Sequence, residues 1–124
     1  MPKADYLDIT EGLKQNYMAV LAQLQTPYMT RFLSLDMRPV LGKITCPVLA
    51  LNGTKDTQVE HESNLGAIRS GLPANDMNRI EAVEGVNHLF QHCTTGSLSE
   101  YRNIEETFAP EVLEMMTEWL ASFK

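Results

Sequence analysis

Two short strand-like runs, each followed by a glycine and a polar loop, dominate the hydrophobic pattern of this chain. The first covers residues 47–51 and opens with Pro47, and the second covers residues 79–83. A short apolar run that is bounded by turn residues is typical of a strand buried in a parallel sheet, and proline is tolerated at the first residue of a strand. The pattern therefore predicts two strands at the centre of an α/β fold.

Apolar residues at helical spacing predict four helices around these strands. Asp8 or Thr10 is expected to cap the first helix, and Gly71 is expected to end the third. A strand, a helix and a strand in succession form a βαβ unit, which brings the two strands together in parallel. The predicted helices span residues 8–24, 27–35, 65–70 and 110–123.

Large side chains are concentrated on the second and the last of these helices. The second helix carries Tyr28, Met29 and Phe32, which are expected to pack against other residues rather than to line a pocket. The last helix carries a stripe of methionine and tryptophan residues around Trp119, which is expected to lie in the core.

Length and charge narrow the class of protein. The chain has 124 residues, enough for about one domain, and a net charge of −6 from 16 acidic and 10 basic residues. An acidic chain without a basic cluster is a poor ligand for nucleic acid. It has neither a long apolar run nor the apolar centre of a signal peptide, so we expect a cytoplasmic protein, or an exported one whose leader has been removed.

The cysteines and histidines do not form a metal-binding pattern. The spacing of two cysteines and three histidines matches no zinc motif, and no cofactor is predicted. Cys46 precedes the first strand and Cys93 follows the second, which places them at opposite ends of strands about 20 Å long. Both are therefore expected to be free thiols. His61 and His92 are expected to be solvated surface residues.

An aspartate and a histidine follow the two strands at the same spacing. Asp56 lies three residues after Gly53, and His88 lies three residues after Gly85. Neighbouring parallel strands end at the same edge of a sheet, about 4.8 Å apart, so short loops can bring the two side chains together. A carboxylate that orients an imidazole is the acid–base part of a nucleophilic triad. Alternatively, Asp56 satisfies loop amides and His88 makes a structural hydrogen bond.

The nucleophile of such a triad is missing. No G-x-S-x-G motif occurs, and the segment around Ser97 and Ser99 is not a strand-to-helix elbow and follows the histidine. Cys93 is the alternative nucleophile, although no predicted helix N-terminus lies beside it to activate the thiol.

From about Thr26 onwards, roughly three-quarters of the chain resembles the C-terminal part of an α/β-hydrolase of the esterase and acyl-hydrolase type. In that family the seventh strand is followed by the triad acid, which matches Asp56, and the eighth by the triad histidine, which matches His88. The segment that ends at Leu35 resembles the end of that family's cap. The first strands, the nucleophile elbow and the oxyanion hole have no counterpart. The resemblance is carried by residues 44–56, 85–90, 104–112 and 119–120.

The resemblance implies a partial α/β-hydrolase fold with two or three parallel strands. Residues 1–40 would be a helical segment and residues 41–124 the C-terminal βαβα portion of the core. The implied function is ester or other acyl hydrolysis by a complete enzyme, with Asp56 and His88 as catalytic residues and a small acyl compound as substrate. The chain alone would be inactive.

A second interpretation is a non-catalytic module that associates with itself or with a partner. A sheet of two or three strands leaves an open edge and an uncovered apolar face. We therefore expect a homo-oligomer, or pairing with the missing N-terminal portion of the enzyme. Neither nucleic acid nor a membrane is an expected partner.

Overall fold

The computed structural model describes residues 3–123, with side chains from residue 10 onwards. Within them lie five α-helices and one two-stranded parallel sheet, in mixed α/β order. A 3-10 turn at Tyr101–Asn103 precedes the last helix. The elements are α1 Lys3–Leu24, α2 Pro27–Ser34, α3 Arg38–Leu41, β1 Leu49–Gly53, α4 His61–Gly71, β2 Arg79–Val83 and α5 Pro110–Ala121.

The chain divides into two compact units, residues 1–36 and residues 37–124. The first contains α1 and α2, and the second contains the sheet with α3, α4 and α5. No described helix combines the length and the apolar character that crossing a membrane requires.

In the first unit, α1 begins earlier than the sequence predicts. Asp8 and Thr10 lie within the helix, so neither is its N-cap. The reason is that no glycine or proline separates them from Lys3, and helix formation continues towards the N-terminus.

The helix α2 begins as predicted, because the Thr26 hydroxyl accepts a hydrogen bond from the Met29 amide at 3.3 Å. The prediction that its aromatic side chains are packed was wrong. Tyr28 and Phe32 are exposed, and their rings stack on each other with centroids 6.3 Å apart. Both rings lie on the same face of this short helix, so they contact each other and leave their outer surfaces open.

In the second unit, β1 and β2 pair in parallel, from Leu49 opposite Arg79 to Gly53 opposite Val83. The bounds of β2 are those predicted, whereas β1 begins two residues after Pro47. Proline has no N–H, and the next amide, that of Val48, donates to Oδ1 of Asn78 at 2.9 Å rather than to a strand. The sheet ladder therefore begins later than the apolar run.

The helix α4 connects the two strands and packs against both. It begins at His61, four residues earlier than predicted, because the Glu60 carboxylate accepts the amides of Glu62 and Ser63, both at 2.8 Å. Gly71 is the last helical residue rather than a C-cap. A Cβ atom there would lie 2.7 Å from Cδ1 of Leu41, so glycine allows α3 to pack closely against the end of α4.

The core lies between the sheet and α5. Its buried members are Val83, Val86, Ala109 and Val112. Phe90 and Phe108 pack against them with ring centroids 5.4 Å apart. The prediction that the apolar stripe of α5 is core holds for only part of the stripe, because Met116, Leu120 and Phe123 are exposed. At Met116 the stripe borders an open groove of about 230 Å³ lined by Leu49, Leu51, Phe90, Phe108, Val112 and Met116.

Candidate active site

Asp56 lies in a tight turn that continues directly from β1. Its amide donates to the carbonyl of Gly53 at 3.1 Å, while the amides of Thr54 and Lys55 donate to Val83 and Val86 across the sheet at 2.9 and 3.0 Å. These cross-strand hydrogen bonds extend the ladder past the end of β1. The turn is therefore fixed to the segment that follows β2.

The carboxylate of Asp56 accepts four hydrogen bonds. Oδ1 accepts from the amides of Gln58 and Val59, each at 2.9 Å. Oδ2 accepts from the side-chain amide of Asn52 at 3.0 Å and contacts Nδ1 of His88 at 2.8 Å. The side chain of Asp56 is only 4% exposed, so these groups replace its water shell.

These contacts keep Asp56 ionised. Burial alone raises the pKa of the carboxyl group, but hydrogen bonds from the Val59 amide, the His88 ring and the Gln58 amide lower it more in total. The pKa of Asp56 therefore lies below its ordinary value. A carboxylate can only accept, so Nδ1 of His88 carries the proton in their hydrogen bond.

The loop that carries His88 is organised by the fully buried side chain of Asn87. Its Oδ1 accepts the backbone amides of Leu89 and Gln91 at 2.9 and 3.1 Å, and the backbone amide of Asn87 donates to the Gln91 carbonyl at 3.0 Å. Phe90 adopts a left-handed conformation with φ of 56°, which is unusual for a bulky residue. The loop therefore turns back on itself immediately after His88.

Gly53 brings the two loops into contact. A Cβ atom at this position would overlap the carbonyl oxygen of Val86 and would lie 2.8 Å from that of Asn87. Only a residue without a side chain permits this approach. The glycine that looks like a turn signal in the sequence thus sets the distance between Asp56 and His88.

The His88 ring is accessible on its other side. Its side chain is 38% exposed, and among the described residues no hydrogen bond reaches its Nε2 atom. With the proton on Nδ1, the neutral ring carries its lone pair on Nε2. The pair of Asp56 and His88, the dyad, can therefore accept a proton from a group placed at this open side.

The residues considered as nucleophiles, Ser97, Ser99 and Cys93, form hydrogen bonds with groups other than His88. Within the described part of the chain, the hydroxyls of Ser97 and Ser99 bond each other at 2.8 Å, and the thiol of Cys93 lies 3.6 Å from the Gly85 carbonyl. Burial and then the charge of Glu100 raise the pKa of Cys93, which disfavours a thiolate. Cys46 and Cys93 are both free thiols, in agreement with the sequence prediction.

Two charged side chains brace the loop that follows Cys93, and sequence reasoning missed both. Lys55 donates through Nζ to the carbonyls of Cys93 and Thr94 at 3.0 and 3.1 Å. The carboxylate of Glu100 accepts three consecutive amides, those of residues 94–96. The Thr94 and Thr95 amides contribute most to lowering the pKa of Glu100 to about 2. The fold brings Lys55 to carbonyls 38 and 39 residues away, whereas Glu100 closes a local turn on amides four to six residues before it.

His92 is exposed at the surface, as predicted, and it also contacts two carboxylates. Its Nδ1 lies 3.0 Å from both carboxylate oxygens of Glu106, and its Nε2 lies 2.6 Å from Oε1 of Glu111. The hydrogen bond with Glu106 is the main cause that raises the pKa of His92. His61 lies beside Glu60 at 3.7 Å. In the part of the chain that the structure describes, no three histidine, cysteine or acidic side chains are grouped to hold a metal ion.

Comparisons with known proteins identify no relative of this chain. No family model matches the chain, and neither a curated protein nor a solved structure matches it. The geometry of the dyad is therefore the basis for assigning a function.

Proposed function

We propose that this chain supplies the acid and the histidine of a serine hydrolase triad, with Asp56 orienting His88 and His88 acting as general base. One observation carries the proposal: the 2.8 Å hydrogen bond between Nδ1 of His88 and the ionised, buried carboxylate of Asp56. An imidazole held in this way offers its Nε2 lone pair to an incoming hydroxyl group. The proposed reaction is hydrolysis of an ester or another acyl compound, without a cofactor.

The resemblance to the α/β-hydrolases supports this class over other triad enzymes. The acid follows one parallel strand and the histidine follows the next, in the order that this class uses. In this proposal the chain is the C-terminal portion of such a hydrolase and acts in the cytoplasm. Because the sequence has no G-x-S-x-G motif and the hydroxyls of Ser97 and Ser99 bond each other, the nucleophile in this proposal comes from outside these residues, and the chain alone is inactive.

The test uses a fluorophosphonate probe, which forms an adduct with an activated serine. The purified chain alone is expected to gain no mass, as read by intact-mass spectrometry. When the chain is added to a lysate of its source organism, a second polypeptide is expected to become labelled. That labelling is lost with Asp56→Asn or His88→Ala and is retained with His61→Ala, the matched control at a half-buried histidine that does not contact the dyad.

Two outcomes would contradict the proposal, and each would refute a different claim in it. An adduct on this chain itself that disappears in His88→Ala would place the nucleophile within it, and Ser97 and Ser99 would be the residues to map. Absence of any His88-dependent labelling of a second polypeptide would refute the supply of a nucleophile from outside.

A second candidate function is self-association without catalysis. Within the described residues β1 pairs only with β2, and the groove beside it is lined by six apolar side chains. Parallel sheets are normally covered on both faces and paired along their edges. In this proposal a second copy of the chain covers the groove and pairs along β1, and the dyad has a structural role.

A further inference from the structure

We infer that Asn52 is the positioning residue of the dyad and directs Oδ2 of Asp56 towards His88. This inference rests on the proposed function, because it gives Asn52 a part in presenting the general base. The side-chain amide of Asn52 donates to Oδ2 of Asp56 at 3.0 Å and to the carbonyl of Val59 at 3.3 Å. Both of its amide hydrogens are thus donated to acceptors in the turn that follows β1.

The contacts of Asn52 close a ring around the carboxylate. Val59 accepts from Asn52 through its carbonyl and donates to Oδ1 of Asp56 through its amide at 2.9 Å. Asn52 binds the opposite oxygen, Oδ2. The carboxylate is therefore held at both oxygens and cannot rotate about its Cβ–Cγ bond without breaking a hydrogen bond.

Asn52 is the only described residue besides His88 that binds Oδ2, since both loop amides bind Oδ1. It is also 8% exposed and belongs to β1, so it is anchored by the sheet rather than by the loop. Without Asn52, Oδ2 would depend on the half-exposed His88 alone. Positioning by a buried strand residue is what a preorganised site requires.

The chemical consequence concerns the proton between the two dyad residues. The donor from Asn52 stabilises the charged form of Asp56 at the oxygen that His88 uses. An ionised and fixed Oδ2 keeps the proton on Nδ1, which leaves the lone pair of His88 on Nε2. Loss of the amide makes Asp56 easier to protonate and allows the His88 ring to turn.

The experiment is NMR on the full chain with Asn52→Leu, which keeps the branched shape of the side chain and removes the donor. Two results are expected: the Asp56 carboxyl carbon titrates at higher pH than in the wild-type chain, and the His88 Nδ1–H resonance is lost through exchange with solvent. Asn78→Leu is the matched control. Asn78 bonds Val48 and Pro73 and lies before β2, at the opposite end of the strand from the dyad, so its loss perturbs the fold and leaves both signals in place.

A wild-type measurement keeps the inference testable if Asn52→Leu fails to fold. The side-chain amide resonances of Asn52 are expected to shift with pH in step with the titration of Asp56. An Asn52 amide that does not follow Asp56, or a folded Asn52→Leu protein with both dyad signals unchanged, overturns the inference. These signals belong to the dyad within this chain. Absence of probe labelling with unchanged NMR results would therefore refute the proposed hydrolase and not the role of Asn52.

Discussion

Gly53 and Val86 are in backbone contact at the point where β1 ends, and a side chain on Gly53 would overlap the Val86 carbonyl. The two residues precede Asp56 and His88 by three and two positions, respectively. Their contact therefore determines how close the acid and the histidine come. The 2.8 Å hydrogen bond of the dyad depends on a residue that takes no part in it.

Gly53→Ala is expected to separate the two loops and to lower the free energy of unfolding by about 1–3 kcal/mol, the usual cost of overpacking. Urea denaturation measures this loss, and the His88 Nδ1–H resonance reports whether the dyad survives. Gly66→Ala is the matched control, because a Cβ atom there meets no atom within 4 Å. It is expected to stabilise α4 by about 0.5–1 kcal/mol. Equal stability of the two variants would contradict the role of Gly53.

The dyad makes the free energy of unfolding depend on pH in the acid range. Folding lowers the pKa of Asp56 below its ordinary value of 3.8. Its contribution is therefore present above that value and is lost as the pH falls through the lower, folded pKa. Urea midpoints measured from pH 6 downwards are expected to fall less steeply in Asp56→Asn than in the wild-type chain. Identical slopes would show that the carboxylate is not held as described.

The contacts of His92 with Glu106 and Glu111, the His92 bridge, predict that the free energy of unfolding depends on pH in the opposite sense at higher pH. Folding raises the pKa of His92 above its ordinary value of 6.5, and Glu106 and Glu111 are the charged groups that face its ring. The contribution of the bridge is thus fully present below pH 6.5 and is lost as the pH rises through the folded pKa. His92→Gln is expected to remove this dependence from urea midpoints between pH 5 and 9. A wild-type midpoint that is constant over this range would count against the bridge.

The apolar groove predicts association in solution. Sedimentation velocity at micromolar concentration is expected to show a dimer or a larger oligomer. Met116→Glu places a charge in the groove and is expected to shift the equilibrium towards the monomer. Thr117→Glu adds the same charge at an exposed residue that does not line the groove, and is expected to leave the association unchanged. A wild-type monomer would refute the self-association proposal.

The sequence predicted the arrangement of β1, α4 and β2, and the ends of β2, because apolar runs and turn residues are local signals. It also predicted the approach of Asp56 to His88, since two neighbouring parallel strands end at one edge. The role of Asn52 was missed because an Asn-Gly pair is typical of a turn, whereas Asn52 is the buried penultimate residue of β1. The partners of His92, Glu106 and Glu111, lie fourteen and nineteen residues further along the chain, which no local pattern indicates.

The two thiols differ in a way that makes the chain easy to label at one place. Cys46 is exposed and Cys93 is half-buried, with burial raising the pKa of Cys93, so a maleimide dye at neutral pH reacts first with Cys46. Cys46 precedes β1 while Asp56 follows it, which separates the dye from the dyad by about 17 Å of strand. Energy transfer between dyes on two copies would therefore record their encounter while leaving the chemistry of Asp56 and His88 untouched.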